Sequence, residues 1–176
     1  MVIETPRFGR IDIAEDEIIT MPQGMIGFVS LRRYCLFDPA DDMLITWLQS
    51  IDDPRIAFPV LEPSVFYQNY RVQLSPHELR DLNLGSLQSA AVLCVITIPD
   101  DTSQMTANMK APIVVNVESR CARQVVLQDN AYAIRHPMFR ELRAHLVTIA
   151  SLQGKQEKQI VSIRDLQPSR HIEASL

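Results

Sequence analysis

The chain has 176 residues, of which 47% are apolar and 22% are charged, and its formal net charge is −4. This size and balance are typical of a globular protein with one domain that buries its own core without metals or disulfides. The acidic balance argues against a nucleic-acid-binding protein, because contacts with phosphate groups require clustered lysine and arginine.

Short apolar segments rich in aromatic and β-branched residues predict a series of β-strands. The turn-like gaps between them are rich in Asp and Pro. Ala91–Ile98 is the most apolar segment and is expected to be the central strand, whereas Pro59 places its own strand at an edge or a bulge. Without alternating helices, this spacing predicts a mainly β single domain, an antiparallel barrel or sandwich. The predicted strands are Tyr34–Phe37, Met43–Leu48, Ile56–Leu61, Tyr70–Leu74, Ala91–Ile98, Pro112–Val117 and Gln124–Gln128.

One short internal helix is marked by its start and stop signals. Ser75 can cap it, Pro76 occupies the first helical position and Glu78 can complete a capping box. Gly85 lies where the helix should end. The pattern therefore predicts a helix of about two turns between two strands.

The pattern of the chain changes after His136-Pro137. Apolar residues then recur at helical spacing, which predicts a C-terminal amphipathic helix over about 138–152. A further strand is possible over 160–163, and 167–176 is expected to be a frayed tail. The predicted division is a β-domain over 1–137 and a helical extension with a tail over 138–176.

Patterns typical of catalysis or of metal binding are absent from the sequence. It has no glycine-rich phosphate loop and no nucleophile elbow, and its four histidines lie too far apart to indicate a metal site. Gly24-Met25-Ile26-Gly27 is interpreted as a turn with close backbone packing. We therefore expect a protein without enzymatic activity, without a cofactor and without a bound metal.

The cysteines and the N-terminus indicate the compartment. Cys35, Cys94 and Cys121 are odd in number and form no C-x-x-C pair, so we expect free thiols in a reducing compartment. The N-terminal residues do not have the pattern of a signal peptide, and the longest apolar run is too short to span a membrane. These features predict a cytoplasmic protein without membrane contact.

The segment 105–116 mixes polar and apolar residues without a clear period. Pro112 interrupts what would otherwise be one long strand. One interpretation is a bulged strand whose methionines lie in the core. The other is a binding surface, because methionine adapts to varied partners and the Asn108 and Asn116 amides can bond exposed backbone.

This segment, Thr106-Ala107-Asn108-Met109-Lys110-Ala111-Pro112-Ile113-Val114-Val115-Asn116, resembles the signature of the FliW family of flagellar assembly factors. The resemblance runs from about Val2 to Pro137, so the β-domain would be a FliW-like β-barrel. Met109 departs from the leucine that is frequent in the family, a change that conserves volume. Four further stretches agree in type and order: Gly24-Met25-Ile26-Gly27-Phe28, Trp47-Leu48-Gln49-Ser50, Ala57-Phe58-Pro59-Val60 and Tyr132-Ala133-Ile134-Arg135-His136-Pro137.

The resemblance implies a non-enzymatic, chaperone-like protein that works by binding other proteins. Members of the family bind the RNA-binding translational regulator CsrA and antagonise its binding to mRNA. They also bind flagellin, and this partner switch couples flagellin synthesis to export in flagellum biogenesis. Carried over to this chain, the predicted protein-binding residues are Met105, Thr106, Asn108, Met109, Pro112 and Asn116.

Other functions and another role for the tail remain open at this point. The chain could instead be a β-barrel that binds nucleic acid directly, although its charge disfavours this, or one that binds a small molecule. The tail after Pro137 is longer than the resemblance leads us to expect. Its helix could pack on the barrel, shield a partner surface or form an oligomer contact.

Overall fold

The computed structural model describes residues 1–39, 45–85, 89–152 and 172–174. Within these ranges, no helix is long and apolar enough to cross a membrane. The elements are strands β1 (Val2–Thr5), β2 (Gly9–Asp12), β3 (Ile19–Thr20), β4 (Arg33–Phe37), β5 (Thr46–Ser50), β6 (Ala57–Leu61), β7 (Val72–Leu74), β8 (Ala90–Thr97), β9 (Thr106–Ala107), β10 (Ile113–Asn116), β11 (Ala122–Gln124), β12 (His136–Pro137) and β13 (Ile172–Ala174), with helices α1 (Pro76–Asp81) and α2 (Phe139–Leu152).

One antiparallel sheet contains most of the strands. Its order is β11-β10-β8-β6-β5-β4-β3, with β9 paired to β8 and β12 paired to β9. The apolar strand β8 contacts β6, β10 and β9, so the prediction that it is central is confirmed. The mainly β fold and the antiparallel pairing are confirmed as well.

The description as a barrel fits this sheet only loosely, because the sheet is not closed. The two ends approach each other where the Thr20 N–H donates to the Arg120 carbonyl at 2.8 Å. A single parallel bridge, between Thr20 and Cys121, accompanies that bond. The described residues therefore form a strongly curved sheet whose ends touch at one point.

Strand β6 corrects the expectation about Pro59. It lies between β5 and β8, so it is not an edge strand. Its ladder with β8 covers only Val60 and Leu61, however, and Pro59 lies outside those pairs. A residue without an N–H is tolerated there because that part of the edge carries no ladder with β8.

Both faces of β8 are buried, which explains why its sequence is apolar without alternation. Ala90, Val92, Cys94 and Ile96 face a cluster that also contains the side chains of β7 and the first turn of α2. Ala91 and Leu93 face a second cluster within the curve of the sheet. A smaller third cluster lies against the β1–β2 hairpin.

The predicted helices are both present. The Ser75 Oγ accepts a hydrogen bond from the Glu78 N–H at 3.3 Å, and the Glu78 carboxylate accepts one from the Ser75 N–H at 2.8 Å, which is the expected capping box. Helix α1 ends at Asp81, earlier than Gly85. Helix α2 begins one residue after Met138, and Leu142 is buried against the first cluster.

Some predictions fall on residues outside the described ranges, and others differ from the structure. Met43, Leu44 and the possible strand over 160–163 lie outside the described residues. The frayed tail is wrong for Ile172–Ala174, which form β13 in parallel with β7. The short strands β1, β2, β3, β9 and β12 were not predicted. Strands β1 and β2 form a local hairpin, whereas β3, β9 and β12 are only two residues long.

The turn at Gly24 contains the closest backbone approach among the glycines of the described fold. Gly24 has a φ of +66°, and a Cβ there would lie 2.6 Å from the Phe28 carbonyl oxygen. Gly9 has a nearly equal φ of +68°, but a Cβ there would meet nothing within 4 Å. Substituting each of the two glycines therefore separates the cost of backbone strain from the cost of steric overlap.

We predict that Gly24→Ala destabilises the protein more than Gly9→Ala. A left-handed alanine alone costs about 1–2 kcal/mol, and forcing a methyl group into a filled space adds roughly 1–3 kcal/mol. Urea unfolding of both variants measures the difference. Equal unfolding midpoints would show that the turn at Gly24 accommodates the added methyl group without loss of stability.

Candidate protein-binding surface

The segment that carries the family resemblance is one strand interrupted by a large bulge. Strand β9 pairs with β8 up to Ala107 opposite Ile96, and β10 resumes at Ile113 opposite Leu93. Residues 108–112 therefore stand opposite only two residues of β8. This confirms the interpretation as a bulged strand, and we call these five residues the 108–112 bulge.

Backbone hydrogen bonds hold the 108–112 bulge from three sides. A buried peptide group without a partner costs free energy, so a bulge at this depth is stable only if its polar groups are satisfied. One bond returns to β8, one comes from the segment before β12, and two come from the chain after β11. The Asn108 N–H donates to the Val95 carbonyl at 2.8 Å, Met109 N–H to Ala133 at 3.0 Å, Leu127 N–H to Lys110 at 2.9 Å and Val125 N–H to Pro112 at 2.9 Å.

The Tyr70 side chain supplies the bond that holds the centre of the bulge. Its hydroxyl donates to the Met109 carbonyl at 2.6 Å, and both residues are fully buried. Burial raises the pKa of Tyr70 far above its usual range, with a smaller contribution from Cys94. The hydroxyl therefore stays protonated and remains a donor at every physiological pH.

A second tyrosine connects this bond to strand β7. The Tyr132 ring contacts the Tyr70 ring edge-on, with 4.7 Å between centroids. The Tyr132 hydroxyl accepts a hydrogen bond from the Arg71 N–H at 2.9 Å. The two tyrosines thus fix the position of the residue before β7 relative to the bulge.

The structure places the six predicted site residues at different depths. Met105, Met109, Pro112 and Asn116 are buried, so the expectation that these four present accessible side chains is wrong. Thr106 and Asn108 are half-buried and remain reachable from solvent. Met105 and Met109 both pack in the first hydrophobic cluster, together with Tyr70.

The two asparagine amides bond the chain's own backbone. The Asn116 amide group donates to the Leu82 and Asn83 carbonyls, each at 3.0 Å, at the end of α1. The Asn108 carboxamide oxygen accepts a bond from the Ala111 N–H at 3.0 Å. Their polar atoms therefore hold turns in place, which is a frequent role of asparagine.

Large apolar side chains are exposed on residues that neighbour the segment. Ile98 is 39% exposed, Val126 51% and Ile134 66%. Ile98 follows Thr97, which pairs with Thr106, and Ile134 follows Ala133, which accepts the Met109 N–H. Val126 lies between the two residues that bond the bulge. Sequence reasoning missed these three, because nothing in the pattern shows which face of each segment is outside.

A cleft opens next to this surface, between β7 and the extended residues 125–129. Its volume is about 330 Å³, and Arg71, Gln73, Val126 and Tyr132 contribute to its walls. The Lys110 ammonium group donates to the Asp129 carbonyl at 2.7 Å and so ties the bulge to one wall. The cleft has both polar and apolar walls.

Two of the buried cysteines are not activated as nucleophiles. Burial raises the pKa of Cys35 to about 12, and burial raises the pKa of Cys94 to about 12 as well. Both thiols therefore stay protonated and are poor nucleophiles. Among the described residues, no group of three or more His, Cys, Asp or Glu side chains could hold a metal ion.

Comparison with known proteins shows extensive similarity. The family model described as FliW protein matches residues 2–138. Flagellar assembly factor FliW of Bdellovibrio bacteriovorus is 45% identical over 147 residues, which cover 84% of each chain. The protein of that name from Natranaerobius thermophilus is 33% identical, covering 80% of this chain and 94% of its own. A crystal structure of the flagellar assembly factor FliW superimposes with a TM-score of 0.73 at 31% identity and covers 78% of this chain and 96% of that chain.

We predict that Tyr70→Phe destabilises the protein by about 1–3 kcal/mol, the usual cost of leaving a buried carbonyl without a partner. Tyr132→Phe is the matched control. Its hydroxyl bonds the N–H of the exposed residue Arg71, where water can replace the lost acceptor. Urea unfolding of both variants checks this. A Tyr70→Phe variant as stable as Tyr132→Phe would mean that the bulge does not depend on the Tyr70 hydroxyl.

Proposed function

Because the chain belongs to the FliW family of flagellar assembly factors, we propose that it binds the translational regulator CsrA and keeps it from mRNA. We propose that it also binds flagellin, and that it acts in the cytoplasm, where flagellin is synthesised before export. Flagellin that awaits export occupies the protein and releases CsrA, which then represses flagellin synthesis. Export of flagellin frees the protein to capture CsrA again.

This mechanism requires coupled binding equilibria and no chemical step. If each partner lowers the affinity for the other, the coupling free energy is the same in both directions. The level of unexported flagellin then sets the fraction of free CsrA. The protonated, buried thiols described above are consistent with a non-enzymatic role.

The net charge of −4 supports the proposed regulator partner. An RNA-binding protein carries clustered Lys and Arg to neutralise phosphates. An acidic surface complements such a partner, speeds their encounter and disfavours binding of the RNA itself.

The observation that carries the proposal is the exposure of Val126 and Ile134, which adjoin residues that bond the 108–112 bulge, and of Ile98, which follows the β8 residue paired with Thr106. Exposed apolar side chains beside a rigid backbone are a frequent feature of protein-binding surfaces. We propose that Thr106 and Asn108 contribute polar contacts to this surface. The buried residues Met105, Met109, Pro112 and Asn116 would act by holding the backbone beneath it.

We predict that Val126→Asp and Ile134→Asp each weaken the capture of CsrA, of flagellin or of both by at least about tenfold, because a charge would be desolvated at the interface. Val2→Asp is the matched control, since Val2 is 47% exposed on the separate β1–β2 hairpin. Titration calorimetry with each purified partner measures the change. Wild-type affinity of all three variants for both partners would remove the surface assignment.

A second prediction distinguishes an antagonist of CsrA from a direct RNA-binding protein. Adding this protein to a complex of CsrA with flagellin leader RNA should release the RNA. The protein alone should not retain the RNA in a filter-binding experiment. Retention by the protein alone, without CsrA, would favour a nucleic-acid-binding barrel instead.

A further inference from the structure

Strand β7 is firmly anchored and presents a backbone edge. Val72 and Leu74 are fully buried, whereas Gln73 between them is exposed. The residues on either side are fixed as well, because the Arg71 N–H donates to the Tyr132 hydroxyl and the Ser75 N–H donates to the Glu78 carboxylate. The strand is therefore held in an extended conformation by contacts that leave its ladder positions available for pairing.

The partner of β7 comes from the C-terminus of the same chain. Within the described ranges, β7 pairs with β13 alone, in parallel, with Ile172 opposite Val72 and Ala174 opposite Leu74. This two-stranded ladder is separate from the large sheet. Parallel pairs are slightly weaker than antiparallel ones, and an isolated two-stranded sheet is marginal, so this contact can exchange.

A cleft of about 330 Å³ lies beside β7, and Arg71 and Gln73 line it. On its other side, Val125 and Leu127 donate their N–H groups to the bulge. The backbone N–H of Val126, between these two donors, therefore points away from the bulge, and Val126 lines the cleft.

The edge and its occupant belong to different parts of the chain. Strand β7 lies inside residues 2–138, which the family model matches, whereas β13 lies beyond them. The accepting edge is thus built by the β-domain, and the segment that covers it is supplied by the extension.

We propose that the edge of β7 is an acceptor site for an extended peptide, and that Ile172–Ala174 is its resident occupant in cis. A peptide that adds to this edge recognises it by main-chain hydrogen bonds in parallel register. The attached C-terminus competes at a high effective concentration and so lowers the apparent affinity of the edge for any peptide in trans. This goes beyond the proposed function, because the occupant of the edge is the chain's own segment Ile172–Ala174.

The test uses the full chain and a fluorescein-labelled peptide with the sequence of residues 167–176. In one variant, Glu173→Pro and Ala174→Pro are combined. Proline lacks an N–H, so this change removes a donor whichever of the two residues bonds β7. Glu173→Ala is the control, because it removes the charge and keeps the backbone donor. Fluorescence anisotropy measures binding of the peptide, and hydrogen exchange measures protection of the β7 amides.

The double proline variant should bind the peptide at least about tenfold more tightly than the wild type, because the competing strand is lost. Its β7 amides should exchange at least about tenfold faster without peptide and regain protection when peptide is added. Glu173→Ala should match the wild type in both measurements. Equal peptide affinity of the proline variant and the wild type, or unchanged exchange at β7, would overturn the proposal. Neither measurement involves CsrA or flagellin, so such a failure would leave the proposed function standing.

Discussion

The hydrogen bond from the Tyr70 hydroxyl to the Met109 carbonyl is the interaction on which the rest of this surface depends. Five residues opposite two cannot continue a ladder, so the 108–112 bulge must find other partners for its peptide groups. In the interior those partners have to come from protein, and they come from β8, from the chain before β12 and from the chain after β11. Together with the segment that carries Tyr70, four segments therefore meet at the bulge.

The buried bulge also distinguishes residues that support the fold from residues that are exposed, which the sequence alone did not. Residues such as Met109 and Asn116 stand in the most recognisable segment of the chain, yet they lie inside and bond or pack against its own backbone. Ile98, Val126 and Ile134 are exposed instead, and we propose that they contact another protein. In the proposed binding surface, the recognisable motif holds the backbone, and less distinctive residues on neighbouring segments supply the contacts.

The parts of the fold that were predictable are those with local causes. The start of α1 is signalled locally by Ser75, Pro76 and Glu78. The unbroken apolar run of β8 indicates that both of its faces are buried. The two-residue strands β9 and β12 depend on pairing, β12 with β9 and β9 with both β12 and β8. Burial within the 108–112 bulge was not predictable, because a bulge breaks the period of two that assigns side chains to faces. In the same way, nothing local shows that Val125 points inward and Val126 outward.

The mechanism proposed for this protein is a competition between surfaces, with binding free energies in place of chemistry. Its central structural claim is that the bulge is rigid before any partner binds and that recognition occurs beside it. Amide hydrogen exchange of the full chain, alone and with CsrA or flagellin, tests this most directly. The account predicts strong protection of the Met109, Val125 and Leu127 amides in the free protein, with new protection on partner addition confined to neighbours such as Val126 and Ile134. Fast exchange at Met109 in the free protein, slowed only by a partner, would contradict it.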